Sequence, residues 1–182
     1  MSDERVESSK ERMEKTIKSL EDSFREIRTG AANPNMLSNV EVEYYGVSTP
    51  LNQVASIQVV EGKQLYIKPY DPTLVKGIEK AIFAANLGLT PQNESNAIRI
   101  NVPPLTEDRR KEFAKKASKT AEEAKVALRN IRRDVVDDIR KDKTVPEDLR
   151  KAAEEDMNKL TDKYSKKIEE LLKVKTEDIM TI

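Results

Sequence analysis

Met13, Ile17, Leu20, Phe24 and Ile27 follow one another at spacings of 4, 3, 4 and 3 in an otherwise charged segment. That is the seam of a helix that packs lengthwise on another helix. Val6 extends the seam towards the N-terminus, with Lys10 in the one skipped position, and Thr29-Gly30 is expected to end the helix with Gly30 as its cap. The pattern recurs twice near the other end of the chain. After Pro103-Pro104-Leu105, Thr106 is a suitable N-cap, and the inner face runs through Phe113, Ala117, Ala121, Ala124, Leu128, Ile131, Val135 and Ile139. A break near Lys143-Thr144 leads through Val145-Pro146-Glu147 into a third seam of Leu149, Ala153, Met157, Leu160, Tyr164, Ile168 and Leu171. Helices this polar are marginal alone, so the three stripes must bury one another in a three-helix bundle.

Between these helices the composition changes. Residues 31–104 hold 11 charged residues in 74, against 55 in the 108 flanking residues. All 5 glycines and 7 of the 8 prolines fall between Gly30 and Pro104. Alternation over Val40–Tyr44 reads as a half-buried strand turning at Gly46 into Val47–Leu51, with further strands at Ala55–Val60, Gln64–Lys68 and Ala97–Val102. Asp71-Pro72 opens one helix that points Leu74, Val75, Ile78, Ala81, Ile82 and Ala85 inward and ends near Gly88. The expectation is an α+β chain: residues 1–30 and 105–182 form the bundle, and residues 31–104 an inserted β/α/β domain. The two crossings, at Gly30 and Ala31 and at Pro103 and Pro104, are either a hinge or a plain domain boundary.

Much chemistry is excluded by what the chain lacks. It has no Cys and no His, so thiolate metal sites, disulfides and the commonest general base are all missing. The five glycines are scattered and form no phosphate loop. Paired carboxylates such as Glu122-Glu123 are ordinary where 36% of residues are charged. No enzyme, metal or cofactor is expected. The charged N-terminus has no apolar core, and no stretch is long and apolar enough to span a bilayer, which points to a protein working where it is made.

The 33 basic and 33 acidic residues balance overall but not locally, because residues 105–142 carry 12 and 9 respectively. At 100° per residue, Lys125, Arg129, Arg132, Arg133 and Arg140 fall within about 100° of arc beside the apolar seam. Arg forks match phosphate oxygens, so the stripe is a candidate for nucleic-acid backbone contacts. A solvated helix face with i,i+4 ion pairs is the competing reading.

Several blocks together resemble one family. They are Ile27-Arg28-Thr29-Gly30, Glu43-Tyr44-Tyr45-Gly46, Thr49-Pro50-Leu51, Glu79-Lys80-Ala81-Ile82, Asn86-Leu87-Gly88-Leu89, Pro103-Pro104-Leu105-Thr106-Glu107 and Arg129-Asn130-Ile131-Arg132-Arg133-Asp134. In order and spacing they are similar to the bacterial ribosome recycling factor family. The resemblance implies an L-shaped molecule, an extended three-helix bundle with a hinged β/α/β domain. It also implies a cytoplasmic, monomeric, non-enzymatic factor without a cofactor. Such a factor binds the 70S ribosome at large-subunit rRNA and, with elongation factor G hydrolysing GTP, splits the post-termination complex. Positions matching the family's rRNA contacts are Arg110, Arg129 and Arg132, with Arg28 near the junction; Arg133 and Lys125 complete the stripe. Where the family usually has a further Arg after Arg28-Thr29-Gly30, this chain has Ala31. A helical adaptor with a β-rich head, binding protein rather than RNA, is the alternative.

Overall fold

The computed structural model describes residues 3–181. The chain opens with α1 (Glu4–Glu26), capped by the Asp3 side chain, which accepts from the Arg5 N–H. Two departures from the seam pattern occur here. Lys10 is exposed, and Ser9 takes the inner position instead. Its hydroxyl donates to the Val6 carbonyl at 2.7 Å and lies 3.2 Å from Met157 Sδ, so a polar side chain is buried with its hydrogen bond made. The helix also stops before Gly30. Ile27 is already extended at ψ 120°, its N–H closing on the Phe24 carbonyl while its side chain stays in the core. The helix thus ends at the last residue of its seam, and Gly30 is not its cap.

A short 3-10 turn, Pro34–Leu37, precedes the hairpin of β1 (Glu41–Tyr44) and β2 (Val47–Pro50). Its turn residues Tyr45 and Gly46 both have positive φ, 50° and 77°, the combination that suits the right-handed twist of a two-residue hairpin. One helical turn, α2 (Leu51–Val54), leads into β3 (Ala55–Val60) and β4 (Gln64–Pro69). A 3-10 turn runs into α3 (Val75–Ala84), then come β5 (Pro91–Glu94) and β6 (Ala97–Asn101). The second sheet is antiparallel throughout, in the order β3-β4-β6-β5. Helix α3 packs on β1 of the small sheet and on β5 and β6 of the large one, which makes it the middle layer. Leu65, Ile67, Ile98 and Ile100 from the central strands meet Ile78 and Ile82 of α3 in one core. Ala85, expected inward, lies beyond the helix end and is exposed. Strand β5 and the α2 turn were not expected.

The chain then forms α4 (Glu107–Lys141) and α5 (Glu147–Met180). Helices α1, α4 and α5 each pack on the other two around Met13, Ile17, Leu20, Leu128, Ile139, Met157 and Ile168. Arg5 pairs with Asp142 at 3.1 Å and Arg12 with Asp134 at 3.5 Å, so α1 runs antiparallel to α4. Leu149 does not belong to the α5 seam: it is exposed, and Ala153 is the first buried position after the turn. Buried Thr161 and Ile179 join the inner face unforeseen.

The fold is α+β, a three-helix bundle with a small sheet domain, and it divides into two compact units. One takes the chain up to Arg28 and resumes at Glu107; the other is Thr29–Thr106. Among the described residues no helix is long and apolar enough to cross a membrane.

Candidate nucleic-acid interface

Helix α4 carries the candidate interface because its apolar and basic stripes lie side by side. Seven inward positions, Ala117 to Ile139, are buried, which fixes the rotation of the helix and turns the basic arc outward along the rim of the bundle. Ala124, Leu128, Ile131 and Ile139 are each followed directly by a cation of the stripe, so core packing orients the cations.

The cations differ in what holds them. Lys125 reaches across to Glu169 of α5 at 3.2 Å. Arg129 Nη2 lies 2.6 Å from Glu122 on its own helix, with both side chains at least half exposed. Arg140 donates from Nε and Nη2 to the two oxygens of Glu154 on α5, each at 2.9 Å. The charge-assisted fork pulls the Glu154 carboxyl below its ordinary range and raises Arg140 above its own. Arg132, half-buried, and Arg133, exposed, form no ion pair among the described residues. These two guanidiniums line a groove of about 220 Å³ between α4 and α5, together with Val136, Asp137, Arg140, Glu154 and Asn158. Two arginines with unused donors, on a rigid helix and flanked by neutralised pairs, can take phosphate oxygens without first breaking a contact.

Not every expected residue joins them. Arg110 is half-buried in the first turn of α4, about 33 Å along the axis from Arg132. Arg28 follows the C-terminal end of α1, which the antiparallel packing sets against the N-terminal half of α4; its Nε and Nη2 are shielded without a hydrogen-bond partner. Lys125, Arg129, Arg132 and Arg133 therefore form one set, and Arg28 and Arg110 lie apart from it. The α5 residues Glu154, Asn158 and Glu169 were missed, because nothing in a helix's own spacing tells which neighbour its flanking charges will meet.

At the crossings, Gly30 is half-buried while Ala31, Pro103 and Pro104 are exposed, all outside helices and strands. The residues beside them are anchored. Ala32 donates its N–H to the Gly62 carbonyl at 2.9 Å, and Val102 donates to the Lys63 carbonyl at 2.9 Å. Both connections thus hang from consecutive residues of the β3–β4 turn.

Residues 20–180 match the ribosome recycling factor family. The chain is 54% identical over 141 residues to the ribosome-recycling factor of Oenococcus oeni, covering 78% of each. A solution structure of a ribosome recycling factor is similar with a TM-score of 0.80 at 36% identity, over 98% of this chain and 96% of that one. A second similar structure, with a TM-score of 0.65, 38% identity and 100% of both chains covered, belongs to models of the T. thermophilus ribosome recycling factor and E. coli elongation factor G bound to the E. coli post-termination complex.

Proposed function

The chain belongs to the ribosome recycling factor family, and from that membership we propose that it works with elongation factor G to separate the post-termination ribosome into subunits, freeing mRNA and tRNA. The chain acts by binding and movement, as a monomer in the cytoplasm. GTP is hydrolysed by elongation factor G, so the chain needs no catalytic residue or cofactor of its own.

The unpaired guanidiniums of Arg132 and Arg133 on α4 carry the reading. They bind the backbone of large-subunit rRNA, with Arg129 and Lys125 joining once phosphate replaces Glu122 and Glu169, exchanges that cost little at exposed pairs. Arg110 and Arg28 make a second contact near the other end of the bundle. Gly30, Ala31, Pro103 and Pro104 serve as the hinge through which elongation factor G moves the sheet domain, one crossing permissive through glycine and the other stiffened by two prolines.

The test uses purified chain, elongation factor G, GTP and post-termination ribosomes, with subunit dissociation followed by light scattering. Splitting that depends on all three additions is expected; none at any concentration would remove the function. Arg129→Ala with Arg132→Ala should weaken ribosome binding and flatten its salt dependence by roughly one unit of slope per lost phosphate contact, with the helical signal unchanged. Unaltered affinity of the double variant would favour a protein-binding adaptor instead.

A further inference from the structure

We propose that Glu154 limits the affinity of ribosome binding, by withholding the Arg140 guanidinium from phosphate and so confining the backbone contacts of the groove to Arg132 and Arg133. The proposal rests on the phosphate-binding reading of α4 given above. By position alone Arg140 belongs to the binding set: it shares the arc with Arg132 and Arg133, about 12 Å further along the axis. Its charge, however, is already matched, because two of its five N–H donors are committed to one carboxylate. Nε and Nη2 each hold one oxygen of Glu154 at 2.9 Å. The Glu154 side chain is 23% exposed and that of Arg140 63%, so the carboxylate is the more confined of the two.

Other charges keep Glu154 in place. Arg150 and Lys151 also face it and favour its ionised form, although Arg140 has the largest effect. Arg150 is itself fixed by its Nη1 bond to the Arg140 carbonyl at 3.1 Å. The pair differs in kind from Arg129 with Glu122, a single contact between exposed side chains that phosphate can displace. Freeing Arg140 would break both bonds of the fork and leave the Glu154 carboxylate beside Asp137 with only Arg150 and Lys151 near it, so phosphate competes for Arg140 at a disadvantage. The groove is thus cationic at its Arg132 and Arg133 end and neutral at its Arg140 end. Affinity is held below what the basic sequence could reach, which suits a factor that must leave each ribosome it has acted on.

The experiment measures equilibrium binding to 70S ribosomes across a salt series for wild type, Glu154→Gln, Arg140→Ala, the double variant and Arg132→Ala, with circular dichroism checking each fold. Glu154→Gln should tighten binding about fivefold at low salt and steepen the log affinity against log salt plot by roughly one unit. Arg140→Ala should weaken binding without flattening the slope, because it strips the neutralising partner from Glu154. The double variant should return to within about twofold of wild type. If Glu154→Gln disturbs the helices, Arg140→Lys provides the same test, since an ammonium lacks the planar fork that matches both carboxylate oxygens and yields to phosphate more readily. Unchanged affinity in Glu154→Gln, or a flattened slope in Arg140→Ala that the second substitution fails to rescue, overturns the proposal. Arg132→Ala separates the two levels: if it weakens binding while Glu154→Gln changes nothing, only this proposal falls. If Arg132→Ala has no effect, the phosphate-binding reading falls with it.

Discussion

At the scale of single residues, polar atoms decide how the bundle core is tuned. Tyr164 is 4% exposed, and its hydroxyl donates to Glu14 at 3.0 Å. Burial, and then that bond to a carboxylate, push its ionisation from 10.0 up to about 12. Below about pH 10 the phenol is neutral in folded and unfolded chains alike. Between 10 and 12 the unfolded chain gives up the proton and the folded chain keeps it, so stability falls as pH rises. Tyr164→Phe should flatten this alkaline loss. Urea midpoints of both proteins across that range test it, because the other titrating groups are common to the two; parallel curves would show that Tyr164 is not the group responsible. The residue scale is also where the sequence was least legible. Lys125, Arg129, Arg132, Arg133 and Arg140 could be placed on one arc from a 100° step, yet that Arg140 and Lys125 are paired depends on Glu154 and Glu169 of the next helix, 14 and 44 positions away.

At the scale of elements, legibility follows the strength of the periodic signal. The helices α1, α4 and α5 were readable because long apolar seams repeat over many turns. Strand β5 was not, because Pro91-Gln92-Asn93-Glu94 has no apolar alternation and is a strand only through its pairing with β6 at the sheet edge. The α2 turn, four residues long, is too short to have a period. The alanines of α4 were legible as inner-face positions, and Ala121 is 1% exposed in the bundle core. Ala121→Leu should therefore overpack the helix contacts and destabilise the bundle by about 1–3 kcal/mol. A shift of the guanidinium midpoint to lower concentration at constant slope is the expected reading. A neutral or stabilising result would mean that the core has room at that level.

At the scale of the whole molecule, two units with separate cores share one chain. Replacing residues 31–104 by a short linker should leave the bundle folded, with its helical circular dichroism per residue raised, and should abolish ribosome splitting. Loss of helix on excision would show one cooperative folding unit. The anchoring of Ala32 and Val102 on Gly62 and Lys63 has a further consequence, which belongs to polymer physics. Before the sheet unit folds, α1 and α4 are the ends of a loop of about 80 residues. Once it folds, the β3–β4 turn clamps both connections together, and the helices meet as though joined by a handful of residues. The entropy of closing that loop drops by about 2–3 kcal/mol. Folding of the small unit should therefore accelerate assembly of the large one, and Ile67→Ala, which loosens only the sheet core, should slow the docking of α1 onto α4 in stopped-flow refolding without touching a bundle contact.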